Sequence, residues 1–269
     1  MVHDKSRFSA VYNKIKTQQP LVVCLTNFVT VNDVANALLA CGAQPVMSVE
    51  PGDTRDLLGH ASALYINMGT PDHTFAHTAL AAAETAYRKS LPVVFDPVGC
   101  GAGALRTHIA RELYASGFLT AVKGNLAEIK ALLGRQSAIR GVDSLEQEQG
   151  DSDKEFLKAG AVPLTVVSGR HDLVITPEKS CFLAHGHPRM KQLSGTGCVM
   201  GALTAAALAV MKDDPLTAGL AAVLLMGMAG EQAARTARGP LSFKTLLIDG
   251  MSDADSLLAA TPAIKGGAY

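Results

Sequence analysis

The run Leu21-Val22-Val23-Cys24-Leu25 contains no polar residue and ends in Thr26-Asn27. A strand with one solvated face alternates apolar and polar side chains. A continuous short apolar run instead predicts a strand buried on both faces. Comparable runs occur at 45–48, 63–67, 92–95, 119–122 and 163–167. Helical patterns fall before and between them, over 6–16, 34–41, 53–60, 72–89, a stretch ending near 115, 126–133 and 154–159. Asn32 is placed to cap the second of these and Gly42 to stop it. The span 134–150 is polar and weakly periodic, as an insertion would be.

Beyond 168 the pattern changes. Residues 172–176 and 180–184 read as a hairpin around Pro177-Glu178-Lys179. Helices are expected over 202–211, 215–238 and 241–257, with a frayed tail from 262. Strand and helix alternate at a spacing of roughly 25 residues, which implies βαβ units. The expected fold class is therefore α/β: a three-layer sandwich, with a mostly parallel central sheet and helices on both faces. One domain over 1–269 suffices, since α/β folds often run to about 250 residues as a unit.

Composition narrows the partners. The formal net charge is +0, whereas nucleic acid and anionic membranes both call for a basic surface. The five cysteines show no CxxC or Cys/His ligand spacing, so reduced thiols of a cytoplasmic protein are expected. The apolar region 199–234 is interrupted by Lys212-Asp213-Asp214-Pro215. Each half is expected to be too short to span a bilayer and to form a core helix.

In such folds ligands bind beyond the carboxyl ends of the strands. The polar clusters gather there: Asn27, Asp96, Lys123-Gly124-Asn125, Ser168-Gly169 and Gly195-Thr196-Gly197-Cys198. Asp96 precedes Pro97, which favours an extended backbone and a carboxylate aimed into the crevice. It is either a Mg²⁺ ligand or the start of a turn, and the glycines at 99, 101 and 103 favour a ligand. Glu128 is either the partner of Asn125 in a capping box or a carboxylate supporting the same metal. Lys123 is a cation for nucleotide phosphates or an ordinary solvated lysine. Ser168-Gly169 could hold phosphate by hydroxyl and N–H, or merely turn. Met47 reads as core, and His185 and His187 as a solvated loop.

The loop from Gly195 to Gly197 opens a helix. Tight turning and exposed N–H groups at a helix N-terminus suit an anion, most simply a phosphate. Cys198 beside it has three readings: an inert core thiol, a nucleophile, or a polar group beside the reacting atoms with its pKa lowered by the helix. There is no GxxxxGK[ST] loop, so a phosphotransferase here is not of the P-loop kind.

Leu25-Thr26-Asn27 with Asn36 and 40–47, Asp96-Pro97-Val98-Gly99, Lys123-Gly124-Asn125 to Glu128-Ile129, and Gly195-Thr196-Gly197-Cys198 occur in this order. Together, over about 21–257, they resemble the hydroxyethylthiazole kinases of the ribokinase-like superfamily. The resemblance implies a ribokinase-like domain without the lid of the sugar kinases. It implies ATP-dependent phosphorylation of 4-methyl-5-(2-hydroxyethyl)thiazole, a thiamine salvage step, by a homotrimer with sites at subunit interfaces. Carried over residue by residue, Asn27, Met47 and Gly195 would contact the thiazole, and Lys123, Ser168 and Gly197 would bind ATP. Asp96 and Glu128 would serve Mg²⁺, and Cys198 would be the catalytic-position residue. The family mostly has Arg at 123 and Thr at 168; Lys keeps the charge without the bidentate fork, so weaker or altered ATP binding is expected. The alternatives are a pyrimidine kinase or an ATP-dependent dehydratase of hydrated nicotinamide cofactors. A non-catalytic nucleotide or phosphate sensor is a further one.

Overall fold

The computed structural model describes residues 3–134 and 162–268. The helix expected at 154–159 and most of the expected insertion lie outside them. β1 (Leu21–Leu25) and β3 (Ala63–Asn67) have the bounds that their apolar runs predict. With β2 (Gln44–Met47), β4 (Val93–Asp96), β5 (Ala121–Asn125) and β6 (Leu164–Ser168) they pair in parallel, in the order β2-β1-β3-β4-β5-β6. β7 (Asp172–Ile175) and β8 (Ser180–Leu183) add the expected antiparallel hairpin. The tail is not frayed: β9 (Gly266–Ala268) pairs antiparallel with β8 and closes the nine-stranded sheet.

Alternate residues of each strand feed two cores. Val22 and Cys24, Ala63 and Tyr65, and Val94 belong to one, while Val23 and Leu25, Leu64 and Ile66, and Val93 and Phe95 belong to the other. The second core is covered by α3 (Pro51–Leu57), α4 (His73–Arg88), α5 (Ala104–Ala115) and α6 (Leu126–Leu132). The first is covered by α1 (Lys5–Gln18), α2 (Val31–Cys41), α7 (Thr196–Val210), α8 (Pro215–Thr236), α9 (Pro240–Met251) and α10 (Ala254–Ala260). Helices on both faces make the expected three layers.

Several local expectations change. α2 begins at Val31 behind Thr30, so Asn32 lies inside the helix and does not cap it, while Gly42 does end it, at φ 96°. The helix expected over 241–257 is two helices, because Asp253 accepts the Ser256 N–H and starts α10 afresh. α7 starts at Thr196, so Gly197 and Cys198 stand in its first turn. At 22 residues α8 is long and apolar enough to cross a membrane; what places it in the core is its burial among the neighbouring helices, not its length. His185 is buried, with Nδ1 3.2 Å from Glu231 Oε1 and Nε2 accepting the Lys265 N–H at 2.9 Å. It is not the solvated loop histidine expected, and it anchors the C-terminal strand.

Candidate active site

β2 and β3 lie on opposite sides of β1. The strand order therefore reverses at β1/β3, which is where open α/β sheets leave a crevice at their carboxyl edge. The polar residues meet at that edge. Asn67 and Asp96 are register partners. By strand parity Tyr65, Asn67, Asp96 and Lys123 all fall on the face covered by α7, since side chains alternate along a strand. All four are buried.

Asp96 is the centre. Its Oδ2 lies 3.2 Å from the Tyr65 hydroxyl, 3.3 Å from Asn67 Nδ2 and 3.7 Å from Lys123 Nζ. Its Oδ1 is buried without a hydrogen-bond partner. Burial pushes the Asp96 carboxyl up to about 7, against the pull of Lys123 and with the help of the Glu128 charge. Burial alone would lower the Lys123 ammonium; the carboxylates of Asp96 and Glu128 outweigh it and hold the group above its ordinary value. The solvated reading of Lys123 is thus excluded. Its Nζ lies against the first turn of α7, where a Cβ on Gly197 would come within 2.7 Å.

The two loop glycines work differently. Gly195 has φ 92°, and a Cβ there would meet Thr30 Cγ2 at 2.6 Å. It is the turn that aims α7 at the crevice. Gly197 needs no special backbone angle and serves close approach.

Asn27 is spent on this architecture. Its Oδ1 accepts the N–H groups of Val29 and Thr30, each at 3.0 Å, and its Nδ2 donates to Asn67 Oδ1 at 2.7 Å and faces Cys198 Sγ at 3.7 Å. The Cys198 thiol is raised, not lowered as one sequence reading has it. Burial is the largest cause and the Asp96 charge adds to it, while Thr30, Lys123 and Asn67 pull it back only in part. The helix N-terminus does not overcome the loss of water, and Cys198 is a neutral thiol at neutral pH.

Glu128 forms the capping box with Asn125 in full. Its Oε2 accepts the Asn125 N–H at 2.9 Å, and Asn125 Oδ1 accepts the Glu128 N–H at 2.9 Å. Its Oε1 accepts the Gly99 N–H at 2.8 Å, which ties the loop after β4 to β5. The Ser168 hydroxyl faces the Gly124 carbonyl at 3.4 Å. The Gly169 N–H is not free for phosphate, because Asp172 Oδ1 accepts it at 2.9 Å. Met47, half-buried at the end of β2, packs against the core on the α7 side.

Sequence reasoning misses three participants. Tyr65 and Asn67 read only as strand residues, although an amide at a strand end is a signal for Asn67. Arg106 donates to the carbonyls of Met68, Val98 and Gly69 and clamps the loops after β3 and β4. Nothing in its sequence context marks it.

Asp172 is buried, and burial raises its carboxyl to about 7 despite the Gly169 N–H and Lys123. An acid raised in the folded state favours folding below its unfolded value near 3.8 and loses that contribution as pH rises through about 7. The protein without bound ligands is therefore expected to lose thermal stability between about pH 4 and pH 7. Asp172→Asn should flatten the decline, and calorimetry across that range checks it. An unchanged slope in the variant would exclude Asp172 as a source.

The sequence pattern of the Hydroxyethylthiazole kinase family matches residues 12–256. A hydroxyethylthiazole kinase of Methanocella arvoryzae is 39% identical over 249 residues, covering 91% of this chain and 92% of that protein. The solved hydroxyethylthiazole kinase of Pyrococcus horikoshii OT3 superposes with TM-score 0.88 at 31% identity, covering 97% of this chain and 98% of that one. A ribokinase-like superfamily protein of Enterococcus faecalis shares the fold at TM-score 0.63 and 16% identity, covering 93% of this chain and 89% of that one. With its family pattern matched over residues 12–256 and a relative of that name 39% identical over 91% of its length, the chain belongs to the hydroxyethylthiazole kinase family.

Proposed function

We infer that the protein transfers the γ-phosphoryl group of ATP to the primary hydroxyl of 4-methyl-5-(2-hydroxyethyl)thiazole. The observation that carries this reading is the buried Asp96–Lys123 pair set beneath the first turn of α7. Phosphoryl transfer asks for little covalent chemistry from a protein. It asks for in-line positioning and for fixed charges where negative charge accumulates. The N–H groups of the α7 first turn and the Lys123 ammonium supply those charges in a site shielded from water. Asn27, Met47 and Gly195 stand on the acceptor side in this reading, and Lys123, Ser168 and Gly197 on the ATP side.

Mg²⁺ typically keeps several waters and takes one or two carboxylates plus substrate phosphates. Asp96, with Oδ1 free of any donor, has the capacity to hold it. Glu128, with both oxygens already accepting backbone N–H groups, would act through water. When bound, the ion would neutralise charge on the leaving diphosphate. A homotrimer with its sites at subunit interfaces is part of the proposal. Exposed Phe28, Val29 and Val49 just past the ends of the paired strands β1 and β2 support such an interface, and light scattering tests it. A cytoplasmic location accords with the five unpaired cysteines.

ADP release measured across small heterocyclic alcohols tests the function. Release that depends on the thiazole alcohol is expected; release indifferent to it, or none, overturns the reading. Cys198 is a neutral thiol and a poor base, and a primary alcohol loses its proton late in a loose transition state. Cys198→Ala is therefore expected to lower kcat by about tenfold or less. Complete loss of turnover in a folded variant would contradict a positioning role.

A further inference from the structure

Tyr65 lies wholly inside the protein, on β3, and takes no part in the reaction described above. Its hydroxyl has one proton to give and lone pairs to accept with. The proton goes to the carbonyl oxygen of Cys198, 2.8 Å away in the first turn of α7. Asn67 Nδ2 donates to the same hydroxyl at 2.8 Å, and Asp96 Oδ2 lies 3.2 Å from it. One buried oxygen thus joins the carboxylate end of β4, the amide end of β3 and the helix turn that carries the anion-binding N–H groups.

The helix is shaped to receive this side chain. A Cβ on Gly201 would lie 2.7 Å from Tyr65 Cε2 and 2.8 Å from its hydroxyl oxygen. Gly197, four residues earlier and so on the same helix face, makes the matching space for Lys123 Nζ. α7 therefore meets the sheet at two glycines, one over the cation and one over the tyrosine. Packing of Gly201 on the ring sets the height of the helix, and the hydrogen bond to the Cys198 carbonyl fixes its first turn.

We propose that Tyr65 is a positioning residue, which holds the first turn of α7 in fixed register with Asp96, and that Gly201 is the space this requires. The catalytic part of this proposal rests on the kinase reading. A transferring phosphoryl group must meet the helix N–H groups and Asp96 together, and displacements of about 1 Å in such arrangements cost on the order of a hundredfold in rate.

Tyr65→Phe keeps the ring and removes only the hydroxyl. It is expected to lower kcat by roughly 10- to 100-fold while KM for ATP and for the thiazole alcohol stays within about twofold. A freed first turn should also expose the thiol, so alkylation of Cys198 by iodoacetamide, located by mass spectrometry, should quicken by about threefold or more. Gly201→Ala retains the hydroxyl and pushes the ring. It is expected to give the same loss of kcat, and it carries the test should the phenylalanine variant not fold. Turnover within about twofold of the parent, a change confined to KM, or unaltered alkylation of Cys198 overturns the proposal. Parent turnover in the same assay is the control: an inactive parent protein sinks the kinase reading, and the alkylation comparison still decides the tether.

Discussion

Replacing Asp96 by Asn is expected to lower kcat/KM by about 10³-fold and leave a folded protein. The two halves of that expectation have one origin. Asp96 is buried at the end of β4, where loss of water raises its carboxyl to about 7. The site thus already tolerates the neutral form, and a carboxamide is its near isostere. Its oxygen can still accept from Asn67 Nδ2, which lies 3.3 Å from Oδ2 in the parent. A carboxylate does not itself stabilise the negative charge of a transferring phosphoryl group. The loss comes through the proposed magnesium, whose electrostatic clamp on the phosphates is worth on the order of 10²–10³ in rate. The sign for stability follows from linkage: a raised carboxyl makes the ionised form a cost to folding at about pH 8, and the neutral carboxamide removes that cost. The melting temperature at about pH 8 should therefore hold or rise while turnover collapses. A variant with turnover near the parent's would remove Asp96 from the reaction. One that fails to fold would show that the Lys123 pair is structural, since an unpaired buried ammonium is strongly destabilising.

Gly197→Val should be as severe by a different route. Gly197 lies inside α7 with no need for positive φ, so valine costs the helix little by propensity. The cost is spatial. Its Cβ would stand 2.7 Å from Lys123 Nζ, and the two methyl groups beyond it need further room. Either the ammonium leaves Asp96 or α7 lifts from the sheet. Both outcomes separate the charges that the site holds together, so a loss of about 10²–10³ in kcat/KM is expected. Circular dichroism should stay close to the parent's, because the rest of α7 is anchored by its packing on α8, β3 and β4. Measured turnover near normal would mean that the first turn of α7 does not hold the phosphoryl group. Gly195→Ala separates the two glycine roles. It imposes a strained φ and a contact with Thr30, so it should damage folding of the loop as well as activity.

Much of the site is legible in the sequence because its residues announce themselves locally. Asp96 before Pro97 ends a strand. Ser168 likewise ends its strand, whereas Lys123, expected just past a strand at 119–122, stands at the middle of β5, and Gly195-Thr196-Gly197-Cys198 opens a helix. What these residues do to one another is not legible. The Cys198 thiol is open to a lowered pKa on helix-dipole grounds, and burial reverses the sign. Asn27 reads as a ligand-facing amide, and in the fold its groups are spent on Val29, Thr30, Asn67 and the thiol. For Glu128 the sequence leaves a capping box with Asn125 and a ligand role as alternatives. The capping box forms in full, and the same carboxylate also fixes Gly99.

The sequence by itself determined the sheet and its layers, because burial on both faces leaves a continuous apolar run that no solvated strand would keep, as in Leu21–Leu25 and Ala63–Asn67. It also pointed to the sheet edge at which the polar residues Asn27, Asn67, Asp96 and Lys123 meet, since ligands in such folds sit where parallel strands end. Tertiary structure alone decided the pairings. The Gly-Gly tail becomes β9 only because β8 offers an edge. Asp253 restarts α10 inside a stretch whose apolar pattern reads as one helix. Tyr65 becomes a link between β4 and α7 only because Gly201 lies over its ring. Periodicity records which face of an element is buried; the atoms of a distant element that meet that face are set by packing between segments far apart in the chain.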